Sequence, residues 1–193
     1  MTIREVLINI RERLQNAGIE DFEYESWAFL DWKLHINRAE FYMNPNGEVK
    51  EELLAELESV LKQREQRVPL QYLMGECEFM GYDFYVDERV LIPRQDTECL
   101  VELAVEDIRN RKTQNRCESN NTADRKNEQK VKVLDLCTGS GCIGISVAKL
   151  CPDTEVTLAD ISEGALSVAK KNAQNLDAGV TLIKGNLFEN IEG

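Results

Sequence analysis

A chain of 193 residues, 42% apolar and 30% charged, has the composition of a folded protein and length enough for one large or two small domains. Its net charge of −12 opposes nonspecific binding to duplex DNA, which depends on phosphate contacts, and leaves a solvated acidic surface or a basic protein partner as readings. Its apolar stretches fall far short of a membrane span, and the N-terminus lacks the apolar core of a signal peptide.

Ile3, Val6, Leu7, Ile10 and Leu14 recur at helical spacing, and Gly18 ends the stripe. Phe22, Trp27, Leu30 and Leu34 mark a second helix. Val49, Leu53, Leu54, Leu57, Val60 and Leu61 mark a longer one after Asn46-Gly47. Residues 1–66 thus read as a small helical bundle. Trp27, Phe29 and Trp32 serve as its core or, in part, as a protein-binding face, and spacing leaves both open. Around Gly75 and Gly81 the residues alternate as in a β-hairpin, a bridge between the bundle and the C-terminal half of the chain.

Asp96 or Thr97 can start a helix through Leu100, Leu103, Ala104 and Ile108. Asn110 to Lys130 is polar, and is expected to be a flexible loop longer than most connections. Then Val131–Leu136 forms a strand, Cys137-Thr-Gly139-Ser-Gly141 a tight loop, and Ile143 onward a helix. Closely spaced glycines let backbone N–H groups approach a ligand, and a helix start offers unpaired donors. Such a loop suits the polar end of a nucleotide-like cofactor, although glycine turns also serve plain strand–helix packing.

Glu155 to Asp160 reads as a second strand ending in an acid, which is placed to bind a ribose diol or to cap the next turn. Ser162 caps a helix from Glu163 to Leu176, and Val180–Lys184 is a third strand. The order is βαβαβ, whose parallel crossovers are right-handed. Gly139, Gly141 and Gly144 also fit G-x-G-x-x-G, so spacing alone admits a nicotinamide enzyme beside a methyltransferase. Six cysteines sit singly at 77, 99, 117, 137, 142 and 151, and His35 is the lone imidazole. That pattern suits reduced thiols in a cytoplasmic protein better than zinc or a disulfide framework. Cys137 and Cys142 flank the loop and read as packing residues, since no base stands near to activate a thiol.

The segment Asp135-Leu-Cys-Thr-Gly-Ser-Gly141 resembles the D-x-G-x-G-x-G loop of class I methyltransferases, with Cys137 at the first glycine position. A Cβ there predicts φ < 0 at residue 137. Upstream come Arg67-Val-Pro-Leu-Gln-Tyr72-Leu-Met-Gly75, then Phe79-Met-Gly81-Tyr-Asp-Phe84, then Pro93-Arg94-Gln-Asp96-Thr97-Glu98. Together with Asp160-Ile-Ser162 and Gly185-Asn-Leu-Phe188, these resemble the HemK/PrmC family along the whole chain. The PR-x-DTE element is the most specific of them.

That resemblance implies an α+β two-domain protein. A helical substrate-docking bundle (1–66) is joined by a β-hairpin linker (67–93) to the first part of a class I, Rossmann-like methyltransferase domain (94–193). It implies S-adenosylmethionine-dependent N5-methylation of the glutamine in the Gly-Gly-Gln motif of peptide chain release factors, which the helical domain helps to hold. The implied cofactor residues are Asp135, Cys137, Thr138, Gly139, Ser140 and Gly141 at the methionine part, Asp160 at the ribose and Leu187 at the adenine. Asn186 stands where members commonly have an aspartate near the adenine amino group; its carbonyl still accepts but brings no charge. Arg94 either shapes the pocket mouth or pairs with Asp96 or Glu98 at the surface.

One departure stands out. The family's catalytic Asn-Pro-Pro-Tyr follows a fourth strand, whereas the prolines here are Pro45, Pro69, Pro93 and Pro152 and the chain stops at Gly193. A carboxamide nitrogen is a weak nucleophile that must be held in line with the sulfonium methyl. In the family the asparagine side chain and a proline carbonyl hold it, so this chain by itself is expected to be inactive. Without a fourth strand, Val131–Leu136 is expected to present an apolar edge that invites self-association or lowers stability. Two other functions remain: a non-catalytic module binding cofactor or release factor, a description the 193-residue chain taken literally fits, and amino-methylation of adenine in DNA. The acidic charge and the PR-x-DTE element oppose the latter.

Overall fold

The computed structural model describes residues 1–118 and 130–191, and divides into units of Met1–Met74 and Gly75–Gly193. In the first unit, α1 (Ile3–Asn16) starts at a capping box in which the Thr2 side chain and the Glu5 side chain each bond the other's backbone N–H. Its stripe of Ile3, Val6, Leu7, Ile10 and Leu14 is buried as the spacing predicts. Against it pack α2 (Phe22–Leu34) and α4 (Glu51–Glu65). Between them lies a short helix absent from the sequence reading, α3 (Arg38–Met43), capped by Asn37 and Glu40. Phe29 is fully buried, while Trp27 and Trp32 are half-buried around the core. Trp27 meets Phe41 edge-on, with ring centroids 5.1 Å apart.

Two ionic clasps reinforce this bundle. Arg64 on α4 donates from Nε and Nη2 to the two carboxylate oxygens of Glu25 on α2, at 2.7 and 2.9 Å. Arg13 on α1 reaches both Glu58 and Glu65 on α4. These hydrogen bonds hold the Glu58 and Glu65 carboxyls below their ordinary values.

The segment expected to be one linker is divided between the units. Residues 70–74 form α5 (Leu70–Met74), and Leu70 and Met74 join the first core. The hairpin itself, β1 (Glu76–Phe79) and β2 (Tyr82–Tyr85), buries Phe79 and Phe84 in the second core. Burial thus assigns each half to a domain, because an isolated hairpin gains too little to stand alone.

A single 3-10 turn at Gln95–Thr97 leads into α6 (Glu98–Glu118). Among its described residues Val101, Val105 and Ile108 are buried and Ala104 packs against the core, while Leu100 and Leu103 are exposed, so the expected stripe is met only in its second half. The helix also continues past Asn110, where a loop was expected. The stretch has no Gly or Pro, consists largely of good helix formers, and carries an Asp107–Arg111 pair one turn apart. The rest of that expected loop, 119–129, lies outside the described residues.

β3 (Val131–Leu136), α7 (Cys142–Leu150), β4 (Thr154–Asp160), α8 (Glu163–Asn175) and β5 (Val180–Lys184) complete the domain. The sheet is parallel in the order β3-β4-β5, so β3 is an edge strand among the described residues. Central β4 is the most buried strand, with Leu158 fully enclosed, and its C-terminal end delivers Asp160.

Candidate functional site

The site forms where β3, β4 and β5 end together. Beyond β3 the chain turns at Cys137, which is exposed and has φ of 58°. The expected negative φ is thereby corrected. A left-handed residue with a Cβ costs about 1–2 kcal/mol, and the turn offsets this with local hydrogen bonds. Thr138 N–H donates to the Ala159 carbonyl at 3.0 Å, and Gly141 N–H to the Thr138 carbonyl at 2.9 Å.

Asp135 organises the loop from within. It is buried, and its Oδ2 accepts from the Thr138 hydroxyl at 2.6 Å and from Gly144 N–H at 3.0 Å. Since Gly141 has no side chain to cap α7, this carboxylate supplies an acceptor to the helix N-terminus instead. Burial nevertheless raises the Asp135 carboxyl above its ordinary value, with the Asp160 charge adding to that rise and the two hydrogen bonds opposing it. Gly144 is explained by close packing: a Cβ there would lie 2.3 Å from Leu158 Cδ2.

Gly139 differs from the other loop glycines, because a Cβ there would meet nothing within 4 Å. It borders open space, and its N–H donates to Asp160 Oδ2 at 3.0 Å. Ser162 N–H occupies Oδ1 at 2.9 Å, so Asp160 is held at the strand tip with acceptor capacity to spare on both oxygens. Asp160 therefore does cap the turn, as one of the two readings of that acid has it. The Asp160 carbonyl accepts from Gly185 N–H at 3.2 Å, which brings Asn186 and Leu187 to the same end of the sheet. Leu187 is exposed, with φ of 53°.

Of the sequence-predicted residues, Asp135, Thr138 and Gly141 are joined by hydrogen bonds, Gly139 bonds Asp160, and Ser140 lies between the two glycines with its carbonyl bonded by Asn172. Arg94 is exposed and pairs with neither Asp96 nor Glu98. Glu98 instead accepts from Met80 N–H at 2.7 Å, so the PR-x-DTE element anchors the hairpin turn to the start of α6. Cys142 is buried and its thiol is pushed up to about 11 by that burial, which suits a packing role. A groove of about 490 Å³ lies elsewhere, along α6 and the end of α7, and none of the loop residues lines it.

Sequence reasoning missed Asn172. Its side chain is fully buried and bonds Tyr85 and Ser140. A signal was present, since position 172 falls on the apolar stripe of α8, in register with Ala165, Val168 and Ala169.

A parallel sheet whose first βα loop turns on glycines, with an acid at the tip of the next strand and a helical unit ahead of it in the chain, defines a Rossmann-like α/β fold with an added N-terminal domain. Residues 5–75 match the family model described as the PrmC N-terminal domain, and residues 121–193 that of the methyltransferase small domain. A release factor glutamine methyltransferase from Clostridium acetobutylicum is 37% identical over 98% of this chain and 61% of its own. One from Geobacter sulfurreducens is 37% identical over 97% of this chain and 60% of its own. Among solved structures, a ribosomal protein L11 methylase from Lactobacillus delbrueckii subsp. bulgaricus is 25% identical, covering 52% of this chain and 43% of its own with a TM-score of 0.35. The chain belongs to the HemK/PrmC family of methyltransferases, and spans about 60% of the length of the curated relatives it matches. S-adenosylmethionine is the cofactor of this class, and the open space at Gly139 beside a fixed Asp160 fits it.

Proposed function

We propose that the protein to which this chain belongs methylates the glutamine amide of the Gly-Gly-Gln motif in peptide chain release factors, in the cytoplasm, with S-adenosylmethionine as donor. The observation that carries this reading is the presence in one chain of both matched domains, with identity to release factor glutamine methyltransferases running through both. The cofactor supplies an electrophilic methyl group on a sulfonium. This chain's residues bind and orient it. Gly139 leaves room for the backbone to approach the methionine part, and Cys137, Thr138, Ser140 and Gly141 shape that approach. Asp135 fixes the loop from beneath. Asp160 accepts from the ribose hydroxyls, while Leu187 and the Asn186 carbonyl meet the adenine. Arg94 borders the substrate entrance.

The helical unit supplies the release-factor contact, through its half-buried aromatic residues and acidic surface. The six cysteines sit singly in the sequence, a pattern that suits a reducing compartment. No described helix is long and apolar enough to cross a membrane. Calorimetric titration of the 193-residue chain with S-adenosylmethionine tests the cofactor reading. We expect saturable binding that Asp160→Ala weakens by about tenfold or more, as loss of a charged acceptor does. Equal affinity in the two proteins would rule out the ribose assignment.

A further inference from the structure

Asn172 is fully buried on α8, and every polar atom of its amide is engaged. Its Oδ1 accepts from Tyr85 N–H at 2.7 Å. Its Nδ2 donates to the Tyr85 carbonyl at 2.9 Å and to the Ser140 carbonyl at 2.8 Å. Tyr85 ends β2, where its cross-strand neighbour is Glu76. Both of its main-chain groups face the amide, which stands in for the next strand of a sheet. Ser140 lies between the two glycines of the loop, one bordering open space and the other preceding α7. A primary amide offers one acceptor and two donor hydrogens, so this side chain satisfies three main-chain groups with no donor left over. A second tie runs beside it, with Lys171 Nζ 3.0 Å from the centroid of the Tyr85 ring.

We propose that Asn172 is a positioning residue that couples the β1–β2 hairpin to the glycine loop, so that a cofactor seated at Gly139 orders both. The coupling rests on the cofactor reading given above. Its physical basis is burial. Ser140 is almost fully enclosed, so its carbonyl has no solvent to replace the donor, and a shift of the loop must move the amide or break the bond. The amide cannot move without disturbing two hydrogen bonds to Tyr85, so displacement at one end is resisted at the other. An asparagine that merely finishes the strand edge would keep the same bonds yet leave Tyr85 indifferent to a ligand.

The test is residue-resolved amide hydrogen exchange on the 193-residue chain with and without saturating S-adenosylhomocysteine, beside calorimetric affinities. In the unchanged chain the ligand should slow exchange at Tyr85 as well as at Gly139 and Gly141. In Asn172→Ala the affinity should fall by about tenfold, and Tyr85 should stop responding to ligand while Gly139 still responds. Binding with no change at Tyr85 in the unchanged chain overturns the coupling alone, and decides the matter even where Asn172→Ala does not fold. Unchanged affinity in a folded Asn172→Ala overturns it too. A folded, unchanged chain that fails to bind overturns the cofactor reading and the coupling together.

Discussion

At the scale of single residues, the loop depends on groups whose roles differ although their types look alike. Gly144 and Gly139 both belong to the glycine motif, but one is required by a neighbour and the other borders space. Gly144→Ala would place its Cβ 2.3 Å from Leu158 Cδ2. Overpacking of that kind costs about 1–3 kcal/mol, so the midpoint of urea unfolding should fall; a midpoint equal to that of the parent chain would show that α7 can shift freely. Asp87 gives a pH-dependent case. It accepts from Arg89 above all, and from the Tyr85 hydroxyl at 2.9 Å, which holds its carboxyl down to about 2. The folded value lies below the unfolded one, so this stabilisation is complete above the unfolded value of about 3.9 and is lost as pH falls through the folded one. The stability difference between the parent chain and Asp87→Asn should therefore narrow steadily below pH ~4. A constant difference down to pH ~2 would contradict the assignment.

Among elements, local signals and packing signals separate cleanly. Helix α1 is written twice, in its apolar stripe and in the Thr2–Glu5 capping box. Helix α3 carries only the capping signal, Asn37 with Glu40, and has no buried residue, which is why periodicity passed over it. The contact between α2 and α4 depends on a pair that no spacing rule reveals, Glu25 with Arg64, whose side chains are only 11% and 13% exposed. Removing one partner leaves a charge enclosed without its counterion. Glu25→Ala should therefore destabilise the helical unit by about 3 kcal/mol, measured by denaturant unfolding followed through Trp27 and Trp32 fluorescence. A loss below about 0.5 kcal/mol would mean that the pair behaves like an exposed one. Helix α6 shows the converse: Ile108 of its expected stripe faces the core, yet Leu100 and Leu103 are exposed and Val101 and Val105 are buried in their place. All five are apolar, and contact with α7 and the hairpin selected among them.

For the whole molecule, the parallel order β3-β4-β5 leaves β3 as an edge, with the N–H and C=O groups of Val131 to Leu136 unpaired on one side among the described residues. Edges of this kind recruit other strands, so the 193-residue chain is expected to self-associate as its concentration rises. Sedimentation velocity across a wide concentration range measures this, and a constant monomer mass would remove the expectation. The sequence by itself determined the helical unit, the βαβαβ order, the glycine loop and the acid after the second strand. Each is set by residues close in the chain, through side-chain periodicity, caps and turn chemistry. Tertiary structure decided the left-handed turn at Cys137 and the division of the expected linker between two cores. It also decided the junction at Asn172, where residues 87 apart in sequence share an amide. Those features depend on which surfaces meet and which buried groups must be satisfied. A buried asparagine has the same local grammar as an exposed one, and only the packed core shows what it bonds.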